Sequence, residues 1–333
     1  LFATLVLLTH APEITDGNDF RELFVRLTHT RYTLGAMGVD GFFLLSGYLI
    51  VRSWLFDPNL TSFLRKRILR IVPGYLFAVL ISVVAVGVLA PAAPNFFANY
   101  SLKDLKSILL LSVPTTPPVL PGIALPFVNG SLWSIGYEFR CYVFVALFGL
   151  CGFFRRPWLW IIGLVCFAAL AIHPVEHPGE FWHFVYTTFG EPYRIYRLVA
   201  VYMIGGAFWI FRGSIPFRPI YALVATVLLL LGIFHDATVR LAFVVCGGYL
   251  IFYFGELKHP PVWPHPFPDI SYGIYLYGWP IEVLTVFFFH HPSPWITFAV
   301  AAVLAPLCGW LSWHFVERPM LSLKRHSAPL PPP

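Results

Sequence analysis

Leu34-Gly-Ala-Met-Gly-Val-Asp-Gly-Phe-Phe-Leu-Leu-Ser-Gly-Tyr-Leu-Ile-Val-Arg-Ser-Trp-Leu-Phe56 carries one acid, Asp40, and one base, Arg52. A helix needs roughly 20 predominantly apolar residues to cross the hydrocarbon of a bilayer, and this stretch meets that requirement. The rest of the chain repeats the pattern. Further apolar segments fall at about 1–10, 71–91, 128–152, 157–173, 193–211, 218–234, 238–255, 270–289 and 295–316, divided by charges, prolines and glycines. Together they predict an all-α polytopic transmembrane bundle of about ten spans, forming a single membrane domain over 1–326 with a proline-rich disordered tail at 327–333. The segment at 1–10 is already apolar at Leu1 and is expected to be a truncated first span. Leu105–Val113 is too short to cross and is expected to lie at the interface.

Composition points the same way. Hydrophobic residues make up 58% of the 333 and charged residues 11%, which excludes an ordinary soluble domain. The net charge of +6 does not imply nucleic acid, because the basic residues sit between the apolar segments. One set of loops holds Arg52, Arg65, Lys66, Arg67, Arg70, Arg155, Arg156, Arg212, Arg218, Lys258, Arg318, Lys324 and Arg325, which is 13 of the 22 Lys and Arg. The positive-inside rule puts those loops and both termini in the cytoplasm of a multi-pass inner-membrane protein. The five cysteines stand singly in apolar stretches and read as small core residues. No metal site is expected, since His173, His177 and His183 lie in a loop without a ligand pattern.

An ionisable side chain inside a span costs on the order of 2.5–3.5 kcal/mol on insertion scales, so each one retained is a functional candidate. His10, Asp40, Glu138, Arg194, Arg197 and Glu282 all fall in the outer portions of their segments and are expected at one depth. A histidine beside a carboxylate there supplies a base and its orienter. Structural readings stand alongside: His10 as an interfacial histidine, Asp40 as partner to Arg31 or another arginine, and Glu138 as a buried pair. On the cytoplasmic side, Phe63-Leu-Arg65-Lys-Arg67-Ile-Leu-Arg70-Ile-Val-Pro73 presents a basic face suited to a phosphate-bearing ligand or to anionic lipid.

Five motifs in chain order resemble those of the acyltransferase-3 family. They are Gly38-Val-Asp40-Gly-Phe42-Phe43-Leu-Leu-Ser46-Gly47-Tyr-Leu-Ile50, then Arg67-Ile-Leu-Arg70-Ile-Val-Pro73, then Ser131-Leu-Trp133-Ser134-Ile-Gly-Tyr-Glu138. Ser271-Tyr272-Gly273-Ile-Tyr275-Leu-Tyr-Gly-Trp279-Pro280 and Phe315-Val-Glu317-Arg318-Pro319 complete the set. The resemblance implies an integral membrane O-acyltransferase moving an acyl group, most often acetyl, from acyl-coenzyme A to a hydroxyl of a cell-envelope glycan or another acceptor. It implies no permanently bound cofactor, with acetyl-coenzyme A as co-substrate and the lipid bilayer as surroundings. By likeness His10 and Glu138 are expected to be catalytic, His10 as the base and Glu138 as the acid of the Trp-Ser motif, and Arg67 and Arg70, with Arg65 nearby, form the donor's phosphate-binding group. Asp40, Ser46, Trp133, Arg194, Arg197 and Tyr275 are expected to support the polar, acceptor-facing side. Glu138 or Asp40 is expected to orient His10, and Arg194, Arg197, Trp133 or Tyr275 to meet the developing oxyanion. Many family members have histidine where this chain has Gly278. The rival from another class is a multi-span transporter of an envelope precursor, for which the same charges would form a substrate path.

Overall fold

The computed structural model describes residues 1–89, 102–113, 125, 127–172, 184, 186, 188, 190–256, 268–290 and 292–323. Lys258, Lys324, Arg325, the tail and His173, His177 and His183 lie outside them, as does most of the loop at 91–129. Every regular element among the described residues is helical. In chain order they are α1 (Phe2–Asp16), α2 (Leu23–Thr28), α3 (Leu34–Phe56), α4 (Leu60–Leu89), α5 (Leu102–Leu109) and α6 (Trp133–Leu150). There follow α7 (Pro157–Ile172), α8 (Pro192–Ile210), α9 (Pro219–Gly232), α10 (Asp236–Gly255), α11 (Ser271–Phe289) and α12 (Pro294–Ser322). Helices occupy all ten apolar segments. Five of them, α3, α4, α10, α11 and α12, are long and apolar enough to cross a membrane. The others fall short on length or hydropathy, so the expected count of ten spans is matched by ten helices but not by ten helices of spanning character.

The bundle is organised around α3. It packs against α8, α1 and α6, while α1 is wedged between α3, α11 and α12. The α3–α8 contact is backbone to backbone: a Cβ on Gly47 would stand 2.0 Å from the Tyr202 carbonyl oxygen, and one on Gly205 2.0 Å from that of Leu44. Small residues permit such an approach, and packing rather than water exclusion holds helices together in lipid. The start of α3 is fixed by Thr33, whose hydroxyl accepts from the Ala36 N–H at 3.0 Å, and by buried Glu22, which caps α2 through the Val25 N–H at 2.8 Å. Burial raises the Glu22 carboxyl above the ordinary range.

Two elements depart from expectation. Helix α1 runs on through Pro12 to Asp16, so His10 sits within a helix and not at its end. Helix α6 begins inside the bundle: Asn129, Ser131 and Leu132, just before it, are all buried. The Asn129 amide donates to the Leu276 carbonyl at 2.8 Å and to Ser82 at 3.0 Å, and Trp279 Nε1 donates to the Phe127 carbonyl at 2.9 Å. A Cβ on Gly130 would strike the Trp279 ring at 2.6 Å. Irregular backbone at membrane depth survives only where protein satisfies it, and these contacts do so. The short helix α5 is also present, and its following residue Ser112 takes the Tyr75 hydroxyl on its carbonyl at 2.7 Å. Among the cysteines, Cys141 is buried, but Cys151 and Cys166 are exposed on the flanks of the bundle; all five are free.

Candidate functional site

The polar side chains singled out in the sequence separate into three groups. Asp40 accepts from the Arg197 guanidinium at 2.6 Å and from the Tyr32 hydroxyl at 3.0 Å, with Arg240 at 3.6 Å on the same carboxylate. Arg240 also donates to the Tyr193 hydroxyl at 2.8 Å. This network ties α3, α8 and α10 together. Arg31 is not part of it through its side chain; its backbone N–H donates to Asp236 at 2.5 Å.

The second group is His10 with its neighbours. His10 is buried, its ring set edge-on to Trp279 with centroids 4.7 Å apart. Its Nδ1 lies 3.9 Å from Glu282 Oε2. Next to it, the Thr9 hydroxyl accepts from the Gly35 N–H at 2.6 Å, which fixes His10 level with the first turn of α3. A cavity of about 170 Å³ opens here, lined in part by His10, Glu13, Thr33, Trp133, Arg197 and Tyr275. Arg194 lies over the Trp133 ring at 4.9 Å and is paired with Glu191 at 2.8 Å.

The third group surrounds Glu138. Its Oε1 accepts from the Ser46 hydroxyl at 2.9 Å and the Tyr142 hydroxyl at 2.5 Å. Arg67 stands over the Tyr142 ring at 6.0 Å and donates to Ser53 at 3.2 Å, while its Nε is buried without a partner among the described residues. Arg70 pairs with Asp269 at 2.7 Å and approaches Glu317 to 3.6 Å. These residues wall a second cavity of about 280 Å³, which also takes in Ser46, Ser134, Tyr272 and Tyr275. Burial pushes the Asp269 carboxyl up, but Ser271 and Arg70 outweigh it and hold the group below its ordinary value.

The expectation of one shared depth is therefore corrected. Ser46 lies 11 residues beyond Gly35 along α3, about 16 Å at 1.5 Å per residue, so Glu138 sits that far below His10. The cause is the buried start of α6: a segment taken to enter from the surface places Glu138 too high. Neither Glu138 nor Asp40 orients His10, and the carboxylate that faces it is Glu282. Arg65 is likewise displaced. It donates to the Leu323 carbonyl at 3.0 Å and does not line the Arg67 cavity. At 100° per residue Arg67 and Arg70 share a helix face while Arg65 points about 160° away from it, a signal present in the spacing.

The two cavities are neighbours that share part of a wall. Val39 and Tyr275 line both, and the Tyr275 hydroxyl bonds the Ser131 carbonyl and, at 2.7 Å, the Ser134 hydroxyl at the start of α6. Gly278, three residues on from Tyr275, packs on Leu7, where a Cβ would stand 2.1 Å from Leu7 Cδ2, so a histidine there requires the Leu7 side chain to move aside. Among the described residues no cluster of three His, Cys, Asp or Glu side chains could hold a metal ion. The residues that the sequence reading left out of the site are Glu13, Tyr142 and Asp269; Glu282 was visible only as an intramembrane charge.

Comparison with known proteins agrees with the motif order. The chain is 23% identical over 302 residues to the "O-acetyl transferase" of Shigella phage Sf6, covering 86% of this chain and 85% of that protein. It is 31% identical over 195 residues to the "Exopolysaccharide production protein ExoZ" of Rhizobium meliloti (strain 1021), covering 57% of this chain and 55% of that one. No solved structure matches. The model of an acyltransferase domain matches residues 1–314, nearly the whole chain, and this multi-pass membrane protein belongs to the acyltransferase-3 family.

Proposed function

We propose that the protein O-acylates a hydroxyl of a cell-envelope glycan, taking the acyl group, acetyl for preference, from acyl-coenzyme A across a cytoplasmic membrane in which all ten long helices are embedded and both termini face the cytoplasm. The observation that carries this reading is the pair of cavities on different levels with Val39 and Tyr275 in the wall between them. The Arg67 cavity receives the donor from the cytoplasm. Arg67 and Arg70 take phosphate oxygens, for which a guanidinium offers two parallel hydrogen bonds, and the thioester arm extends toward Tyr275. Asp269 gives up Arg70 as the phosphate enters, and Glu138, held by Ser46 and Tyr142, supplies the polar floor of the donor site.

The His10 cavity receives the acceptor from the opposite side. His10 takes the proton of the acceptor hydroxyl as its oxygen attacks the thioester carbonyl. The carbon–sulfur bond then breaks and the imidazolium returns the proton to the thiolate, giving ester and free thiol. Tyr275, in the shared wall, turns its hydroxyl from the Ser131 carbonyl to the oxyanion, and the face of Trp133 offers a sugar ring a stacking surface. A relative named for exopolysaccharide production supports a glycan as acceptor, and one named O-acetyl transferase supports acetyl as the group moved.

The test is transfer of label from radiolabelled acetyl-coenzyme A to an envelope fraction by membranes containing the full-length protein. Transfer by wild type that is lost in His10→Ala supports the reading. No transfer from any acyl-coenzyme A, or full transfer by His10→Ala at matched protein levels, overturns it.

A further inference from the structure

Glu282 lies on α11, far from every charged motif in the chain, yet its side chain is wholly buried and both carboxylate oxygens lack a hydrogen-bond partner among the described residues. A carboxylate left so in an apolar interior is expensive, because nothing replaces the water it gave up. The group opposite is in the same condition. His10 Nδ1 is buried and unpartnered, and it points at Glu282 Oε2 across 3.9 Å. No other described basic group lies within ion-pair distance of Glu282. Two unsatisfied groups of complementary chemistry thus face each other across a gap about 1 Å longer than a charge-assisted hydrogen bond.

The surroundings fix the geometry. Trp279, one turn before Glu282 on α11, sets its ring edge-on to the His10 imidazole and is itself held through Nε1 to the Phe127 carbonyl. With Nδ1 sealed and turned to Glu282, Nε2 is the nitrogen presented to the cavity that His10 lines. Such contacts are often long in an empty site and tighten when substrate binds.

We infer that Glu282 is the positioning residue for His10, accepting the Nδ1 proton so that Nε2 is the base and stabilising the imidazolium formed when the acceptor hydroxyl gives up its proton. The inference rests on the reading of His10 as the base. Glu282 touches neither donor nor acceptor; its influence passes through the imidazole. In the transfer step the Nδ1 proton stays between His10 and Glu282, while the acceptor's proton goes to Nε2 and leaves on the thiol, so atoms and charge balance without a further reactant. The neighbouring acid Glu13 lines the cavity itself and is placed to meet the acceptor, not the histidine.

The experiment measures kcat and KM for radiolabelled acetyl-coenzyme A, with an envelope fraction as acceptor, for wild type, Glu282→Gln, Glu282→Asp, His10→Ala and the double variant His10→Ala/Glu282→Gln. Rates are taken per folded full-length protein in membranes. Glu282→Gln is expected to lower kcat on the order of 100-fold with KM within about twofold of wild type. Glu282→Asp restores part of the loss, and the double variant is no slower than His10→Ala alone. If Glu282→Gln fails to accumulate, Glu282→Asp decides: a lowered kcat at unchanged KM supports the inference. Wild-type kcat in either Glu282 variant beside an inactive His10→Ala overturns the inference and leaves the proposed function standing. Full activity in His10→Ala removes both together.

Discussion

The two cavities are built from opposite materials. The Arg67 cavity holds mostly partnered charge: Glu138 has two hydroxyl donors and Arg70 has Asp269 and Glu317 beside it, although Arg67 keeps its Nε without a partner among the described residues. Behind the His10 cavity, His10 Nδ1 and Glu282 stand without hydrogen-bond partners among the described residues. A binding site gains from groups that exchange one partner for another as ligand arrives, whereas a reacting group is kept poised in surroundings that stabilise the charge it acquires only during the reaction. On this contrast, changes in the first cavity alter KM for the donor, and changes in the second alter kcat.

The sharpest way to break that contrast is to compare His10→Ala with Glu138→Gln. His10→Ala is expected to lower kcat by about 100- to 10,000-fold, the span of general-base catalysis, while Glu138→Gln chiefly raises KM for acetyl-coenzyme A. Equal losses of kcat in steady-state transfer assays would erase the distinction. Asp40→Asn probes the framework between the cavities. It leaves buried Arg197 without its counter-charge and part-exposed Arg240 without its neighbour, and about 3–5 kcal/mol of stability is lost, visible as a lowered unfolding temperature in detergent. If Asp40 instead serves chemistry, folded protein will be recovered normally and fail only in turnover.

Arg67→Ala is expected to raise KM for the donor by roughly 10- to 150-fold, the 1.5–3 kcal/mol of a hydrogen bond to a charged group, with Arg65→Ala near wild type because Arg65 faces Leu323. A matching loss in Arg65→Ala would place the donor on the other face of α4. The smallest effect belongs to Asp269→Asn. Its pair with Arg70 is largely exposed, so less than about 1 kcal/mol of stability goes with it. The folded-state pKa is depressed, so that contribution is complete above the ordinary aspartate pKa and fades as pH falls through the lower folded value. Thermal unfolding of wild type and variant should therefore converge below about pH 4.

The helices were legible because hydropathy is a local property: each apolar segment, read alone, contains its own reason to be a helix. The motif order was legible too, and it led to the family. Depth was not. Phe127 to Leu132 carries asparagine, glycine and serine and reads as the outer end of a span at the surface, yet Leu276, Ser82 and Trp279 hold it inside the bundle and carry Glu138 downward with it. The facing of His10 and Glu282 is a contact between the first long helix and the next to last, and no spacing rule connects residues so distant. Arg65 was misplaced for a simpler reason, since its helical phase was available and proximity in sequence was preferred to it.

Val39 and Tyr275 stand in the wall that the two cavities share, and in a membrane that position carries a second duty. Two cavities on either side of one wall become a single passage when that wall is thinned. On the proposed function, the side chains that the thioester reaches are part of this wall, so trimming them is expected to let water and ions through as well as to lower transfer.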